Sequence, residues 1–132
     1  MTPPLLVAAS GVTGVLVAIH QRLGYALLAV LAIGLVLSLL AVRSPHHLPT
    51  VRAYLWLSFA ALSVQAALGI ALAIAGQRPA DGLHFIYGPV SWVALPVALL
   101  CARGGSARRE AWILTLGFLV AFLLVVRALM TG

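Results

Sequence analysis

Four apolar stretches decide what this chain can become, because each has the roughly 20 residues that a helix needs to cross the hydrocarbon of a bilayer. They run from Ile19 to Ala41, Ala53 to Ala75, His84 to Ala102 and Ala111 to Met130, with Arg22 and Arg127 near their ends. Inside a bilayer every backbone N–H and C=O must be paired within the chain, so each stretch reads as a transmembrane α-helix. Only 8% of the residues are charged, whereas a soluble domain carries about 25%, so no polar shell is available and the surrounding partner is membrane lipid. The expected fold is all-α and membrane-integral: an antiparallel four-helix transmembrane bundle forming one domain over residues 1–132.

The joining segments carry the breakers and charges that end helices. They are Arg43-Ser-Pro-His-His-Leu-Pro49, Gly76-Gln-Arg-Pro-Ala-Asp-Gly82 and Arg103-Gly-Gly-Ser-Ala-Arg-Arg109. Connections this short place consecutive helices side by side and antiparallel. The net charge of +6 comes from arginines that stand between the apolar runs, which excludes a nucleic-acid-binding patch and marks topology instead. Arg43 and Arg52 flank the first connection, and Arg103, Arg108 and Arg109 crowd the third. The second has Arg78 opposed by Asp81. The positive-inside rule therefore places residues 43–52 and 103–110 in the cytoplasm and both termini outside, as expected in a prokaryotic inner or plasma membrane.

The segment before the first run, residues 1–18, is also apolar but lacks the basic start of a signal peptide. Three arrangements fit it: an interfacial helix, an extension of the first span into one long helix, or a short additional span. In the third span Pro89 falls in the first turn, where its missing donor costs little, and Pro96 is expected to kink the helix. The single cysteine, Cys101, excludes an internal disulfide and a cysteine metal cage.

Four histidines are the main remaining source of chemistry. His46 and His47 lie in the proline-flanked first connection, where solvated side chains near the head groups are expected; two adjacent histidines without a carboxylate or thiol make a poor metal site. His20 and His84 differ, because they open the first and third spans, which run in the same direction, and so stand at one membrane depth. In a four-helix bundle those spans can lie diagonally across the core, with the two imidazoles facing each other. Haem iron accepts an axial imidazole on each side at about 2 Å. Gly24 and Gly88 each follow their histidine by one turn on the same face, where the missing side chain would let a macrocycle lie against the backbone.

Other groups stand within reach of such a pocket. Gln65, with Gly69 one turn on, lies in the second span, and Tyr25, Tyr87 and Trp92 could line or cap a ring system. They read equally as interhelical glue and an interfacial aromatic belt. Arg22 and Arg78 could pair with haem propionates or snorkel to the head groups.

The run Val64-Gln-Ala-Ala-Leu-Gly-Ile-Ala-Leu-Ala-Ile-Ala-Gly76, followed by Gly82-Leu-His84 and an apolar helix, resembles one half of the haem A synthase family, and His20-Gln-Arg-Leu-Gly24 resembles that family's other histidine helix. The resemblance implies that His20 and His84 ligate haem iron. Val17 stands where the family's catalytic half has a glutamate, an outer-loop cysteine pair is absent, and the helix order is partly permuted. These departures bear on the oxidation of a haem methyl group and leave haem binding as what the resemblance implies. Two functions are expected from the sequence. In the first the chain holds one b-type haem between His20 and His84 for electron transfer, or for a haem A synthase-like oxidoreductase if a homodimer or larger membrane complex completes an open site. In the second it is a small accessory or structural subunit without a cofactor. A transporter is disfavoured because the spans lack buried charges and unwound helix pairs.

Overall fold

A computed structural model of the chain describes residues 4–132, and side chains from residue 11 onward. It contains four α-helices: α1 (Pro4–Arg43), α2 (Leu48–Ile74), α3 (His84–Ala102) and α4 (Ala107–Thr131), with a 3₁₀ turn at Pro45–His47. All four are long and apolar enough to cross a membrane, and no strand occurs among the described residues. The all-α four-helix bundle expected from the apolar runs is the architecture found.

Three boundaries differ from expectation, each for a local reason. The segment before the first span, where described, is neither an interfacial helix nor a separate span. It continues α1 without a break, as nothing between Val15 and Gly24 turns the chain; residues 1–3 lie outside the described residues. The helix α2 starts at Leu48 rather than Ala53, since Pro49 sits in its first turn, where no backbone donor is needed. The helix α4 starts at Ala107 rather than Ala111 because Ser106 caps it, its hydroxyl accepting a bond from the Arg109 backbone N–H at 3.3 Å. Residues 43–52 and 103–110, expected as loops, are thus partly helical. At the other end of α2 the expected stop holds. Gly76, at φ +82°, closes a Schellman turn in which the Gln77 N–H donates to the Leu72 carbonyl at 3.0 Å.

Helix α1 packs on α2 and α4, and α3 packs on α4 and more loosely on α2, so α1 and α3 face each other across a diagonal. Lipid tails are as apolar as leucine, so helix association in a membrane relies on close packing and polar contacts rather than on escape from water. Small residues supply the closeness. The Phe118 ring lies directly over Gly34, joining α4 to α1, and Gly117 meets Ala98, joining α4 to α3. Around these contacts Leu27, Leu31, Leu55, Leu95 and Leu114 are fully buried. The Tyr54 hydroxyl donates to the Val30 carbonyl at 3.0 Å, tying α2 to α1. Ser38, Ser58 and Thr115 are buried and satisfy their hydroxyls on carbonyls of their own helices.

One ion pair ties α2 to α4. Glu110, nearly buried in the first turn of α4, accepts two bonds from Arg52, from Nε at 2.6 Å and from Nη2 at 2.7 Å. The helix N-terminus favours the carboxylate and the guanidinium fork matches both its oxygens. Arg52→Gln should lower stability in detergent by about 1–3 kcal/mol, and the Arg52→Gln/Glu110→Gln double variant by less, because no carboxylate is then left without its partner. Double-variant losses that equal the sum of the singles would contradict this coupling. Gly117→Leu should cost about 1–3 kcal/mol by forcing α3 from α4. Gly88→Ala, at a position with nothing within 4 Å, should stay within about 0.5 kcal/mol in the same unfolding assay.

Candidate functional site: a histidine pair at one end of the bundle

Because α1 and α3 run in the same direction along a diagonal, His20 and His84 come to the same end of the bundle. Their rings are neighbours, with centroids 6.1 Å apart and planes at 62°. The opposite ends of α2 and α4 surround them. Gly69 of α2 leaves the room that the His20 ring occupies, since a Cβ there would stand 3.2 Å from its Cε1. Just past the end of α4, Gly132 does the same for His84, with a hypothetical Cβ 3.1 Å from the ring.

The hydrogen bonds decide which nitrogen of His84 is available. Its Nδ1 stands 2.8 Å from the Ala128 carbonyl, which can only accept, so Nδ1 carries the proton and donates. The neutral ring then keeps its lone pair on Nε2. A backbone carbonyl holding the second ring N–H is the usual support for a metal-ligating histidine. The bond also fixes the ring on α4, while the Asp81 N–H donates to the Thr131 carbonyl at 3.0 Å and ties the α2–α3 connection to the same helix end.

His20 is held differently. The Gln65 amide donates to the His20 carbonyl at 3.0 Å and lies 3.4 Å from the ring Nε2. Two buried polar atoms of these residues, His20 Nδ1 and Gln65 Oε1, have no hydrogen-bond partner among the described residues. Such orphans are uncommon among buried polar atoms.

The remaining residues singled out by sequence are distributed unevenly. Gly24 is buried against α4 and α2, where a Cβ would stand 2.9 Å from Leu129 Cδ2 and 3.4 Å from Gln65 Nε2, whereas Gly88 has nothing within 4 Å. Arg22 and Arg78 are exposed. Tyr25 is exposed, Tyr87 lies under the Arg127 guanidinium at 5.6 Å, and Trp92 donates to the Ser63 hydroxyl at 2.9 Å, bridging α3 to α2. None of these three aromatics is shown against a histidine ring. The His46 and His47 rings lie against each other in the 3₁₀ turn with centroids 3.7 Å apart and planes tilted by 43°, and the Ser44 hydroxyl is 2.6 Å from His46 Nδ1. No cluster of three or more histidine, cysteine, aspartate or glutamate side chains occurs among the described residues, so a metal here would draw on the histidine pair alone.

Sequence reasoning missed two elements. The Arg52–Glu110 pair was invisible because Glu110 was assigned to a loop. Leu129, which fills the space beside Gly24, has no distinguishing sequence signal. No family model, curated protein or solved structure matches the chain.

Gln65 contributes one bond and one unpaired carbonyl oxygen, effects that oppose each other. Gln65→Leu should therefore change the unfolding free energy by less than about 1 kcal/mol. Gln65→Glu, which puts a carboxyl group in the same place, should destabilise by more than about 2 kcal/mol in the same detergent assay.

Proposed function

We propose that the protein is a membrane haem-binding protein in which His20 and His84 are the two axial ligands of one b-type haem, and that it transfers electrons. The observation that carries this reading is the ring separation. Two axial imidazoles, each bonded to iron at about 2 Å, would hold their centroids about 6 Å apart, and the rings stand 6.1 Å apart without any ligand. The donor chemistry agrees: His84 presents Nε2 with its second nitrogen anchored on Ala128, and His20 has a buried nitrogen without a partner.

Bound haem would supply one-electron chemistry, and two histidine ligands would leave no open position for oxygen. The chain's own part is to orient both imidazoles, exclude water and keep them at one depth. Leu129 and Gln65 stand in the space beside Gly24, so seating a macrocycle re-orients these two side chains, while Gly88 leaves its own side clear. Arg22 and Arg78 are the guanidiniums available to propionates. With the arginine-rich ends of α2 and α4 in the cytoplasm, the histidines lie near the outer leaflet of a prokaryotic inner or plasma membrane. An oxidoreductase of the haem A synthase kind would need an additional open site, which a second copy or a larger complex would have to complete.

The other reading, a small accessory subunit of a larger membrane complex, is favoured by a different observation. Helix α1 has 40 residues, about 60 Å at 1.5 Å per residue and twice the hydrocarbon thickness. Its residues from Pro4 to Ile19 add about 24 Å beyond the histidines. There Val12 and Val15 are exposed, and Gly11 and Gly14 have nothing within 4 Å. This apolar length suits a neighbouring membrane protein.

A reduced-minus-oxidised absorbance spectrum separates the two readings. Detergent-purified protein supplied with haem should show sharp haem bands, lost in His20→Ala and in His84→Ala and kept in His46→Ala. A flat wild-type spectrum, or bands indifferent to both of the first two substitutions, would sink the haem reading.

A further inference from the structure

At the end of the bundle opposite the histidines, a cleft of about 440 Å³ opens among α2, the end of α3 and the start of α4. Its upper wall carries Arg52, Arg103 and Glu110 with the Gly104 turn, and its lower wall is Trp56 and Leu99. Two guanidiniums face one carboxylate, so the cleft is net positive. Arg52 spends Nε and Nη2 on Glu110, while Arg103 makes no ion pair among the described residues. Helices α2 and α4 begin at this end while α1 and α3 end at it, so helix dipoles of both signs meet here and the excess positive charge comes from the guanidiniums. Gly104 turns the chain at φ +74° one residue beyond Arg103, the C-cap of α3, and the space beside it is open.

A free anion would use only the upper wall. Trp56 and Leu99 sit beneath it along the α2–α3 seam, the more loosely packed side of α3, and Trp56 is half exposed there. Charge above and apolar surface below, at the level where helices leave the hydrocarbon, match a phosphate with acyl chains attached. We propose that this cleft seats the phosphate of an anionic phospholipid against Arg103 and the free edge of Arg52, with its acyl chains on Trp56 and Leu99 filling the α2–α3 seam. The site is separate from the histidine pair and does not rest on haem binding.

Thermal unfolding of the full chain in lipid nanodiscs tests the proposal. Discs containing phosphatidylglycerol should raise the midpoint by about 3 °C or more over discs of phosphatidylcholine alone. The rise should vanish in Arg103→Gln, whose side chain makes no hydrogen bond or ion pair among the described residues, and persist in Arg43→Gln, which removes an equal charge outside the cleft. Inorganic phosphate added to phosphatidylcholine discs should give no rise. An absent rise in the wild type, an equal rise in Arg103→Gln, or an equal loss in Arg43→Gln overturns the site. A rise of the same size with inorganic phosphate overturns the lipid as its occupant.

Discussion

The bundle is organised around α4, and within α4 around the adjacent pair Gly117 and Phe118. Phe118 reaches over Gly34 of α1 while Gly117 admits Ala98 of α3, so one turn of one helix brings both histidine-bearing helices to it. In lipid there is little hydrophobic gain in burying leucine against leucine, and close approach through small residues carries the association instead. Everything at the histidine end follows from this interlock. With α1 and α3 both fixed on α4 and on opposite sides of the core, their equivalent ends converge and the two imidazoles meet.

The ionisable side chains that contact other helices through hydrogen bonds cluster at the two ends. At one end Arg52 and Glu110 form a bidentate pair between α2 and α4. At the other, His84 anchors on the Ala128 carbonyl and His20 lies beside Gln65. Between them the buried hydroxyls of Ser38, Ser58 and Thr115 are paired within their own helices, so nothing polar is left over in the middle. The contrast sets apart His20 Nδ1 and Gln65 Oε1, the buried side-chain polar atoms left without a partner among the described residues.

The spans were legible because length and apolarity are properties of the chain itself, and the shared depth of His20 and His84 followed from counting helix directions. The helix starts were less legible. Prolines and arginines read as loop signals, yet Pro49 is compatible with a first turn and Ser106 caps a helix whose first turn contains Arg108 and Arg109. Tertiary contacts were not legible at all. That Gly24 packs on Leu129 while Gly88 stands open cannot be read from two identical glycine spacings, because it depends on which helix lies alongside each one. For the same reason the partner of Arg52 was hidden: 58 residues separate it from Glu110, and only the packing of α2 on α4 joins them.

The central claim, that two imidazoles on a diagonal form a ligand pair, is tested most directly by electron paramagnetic resonance of the oxidised, haem-loaded protein. Axial coordination by His20 and His84 predicts a low-spin ferric signal that disappears when either histidine is replaced by alanine. A high-spin signal in the wild type, reporting an open coordination position, or a low-spin signal that survives both replacements, would contradict it.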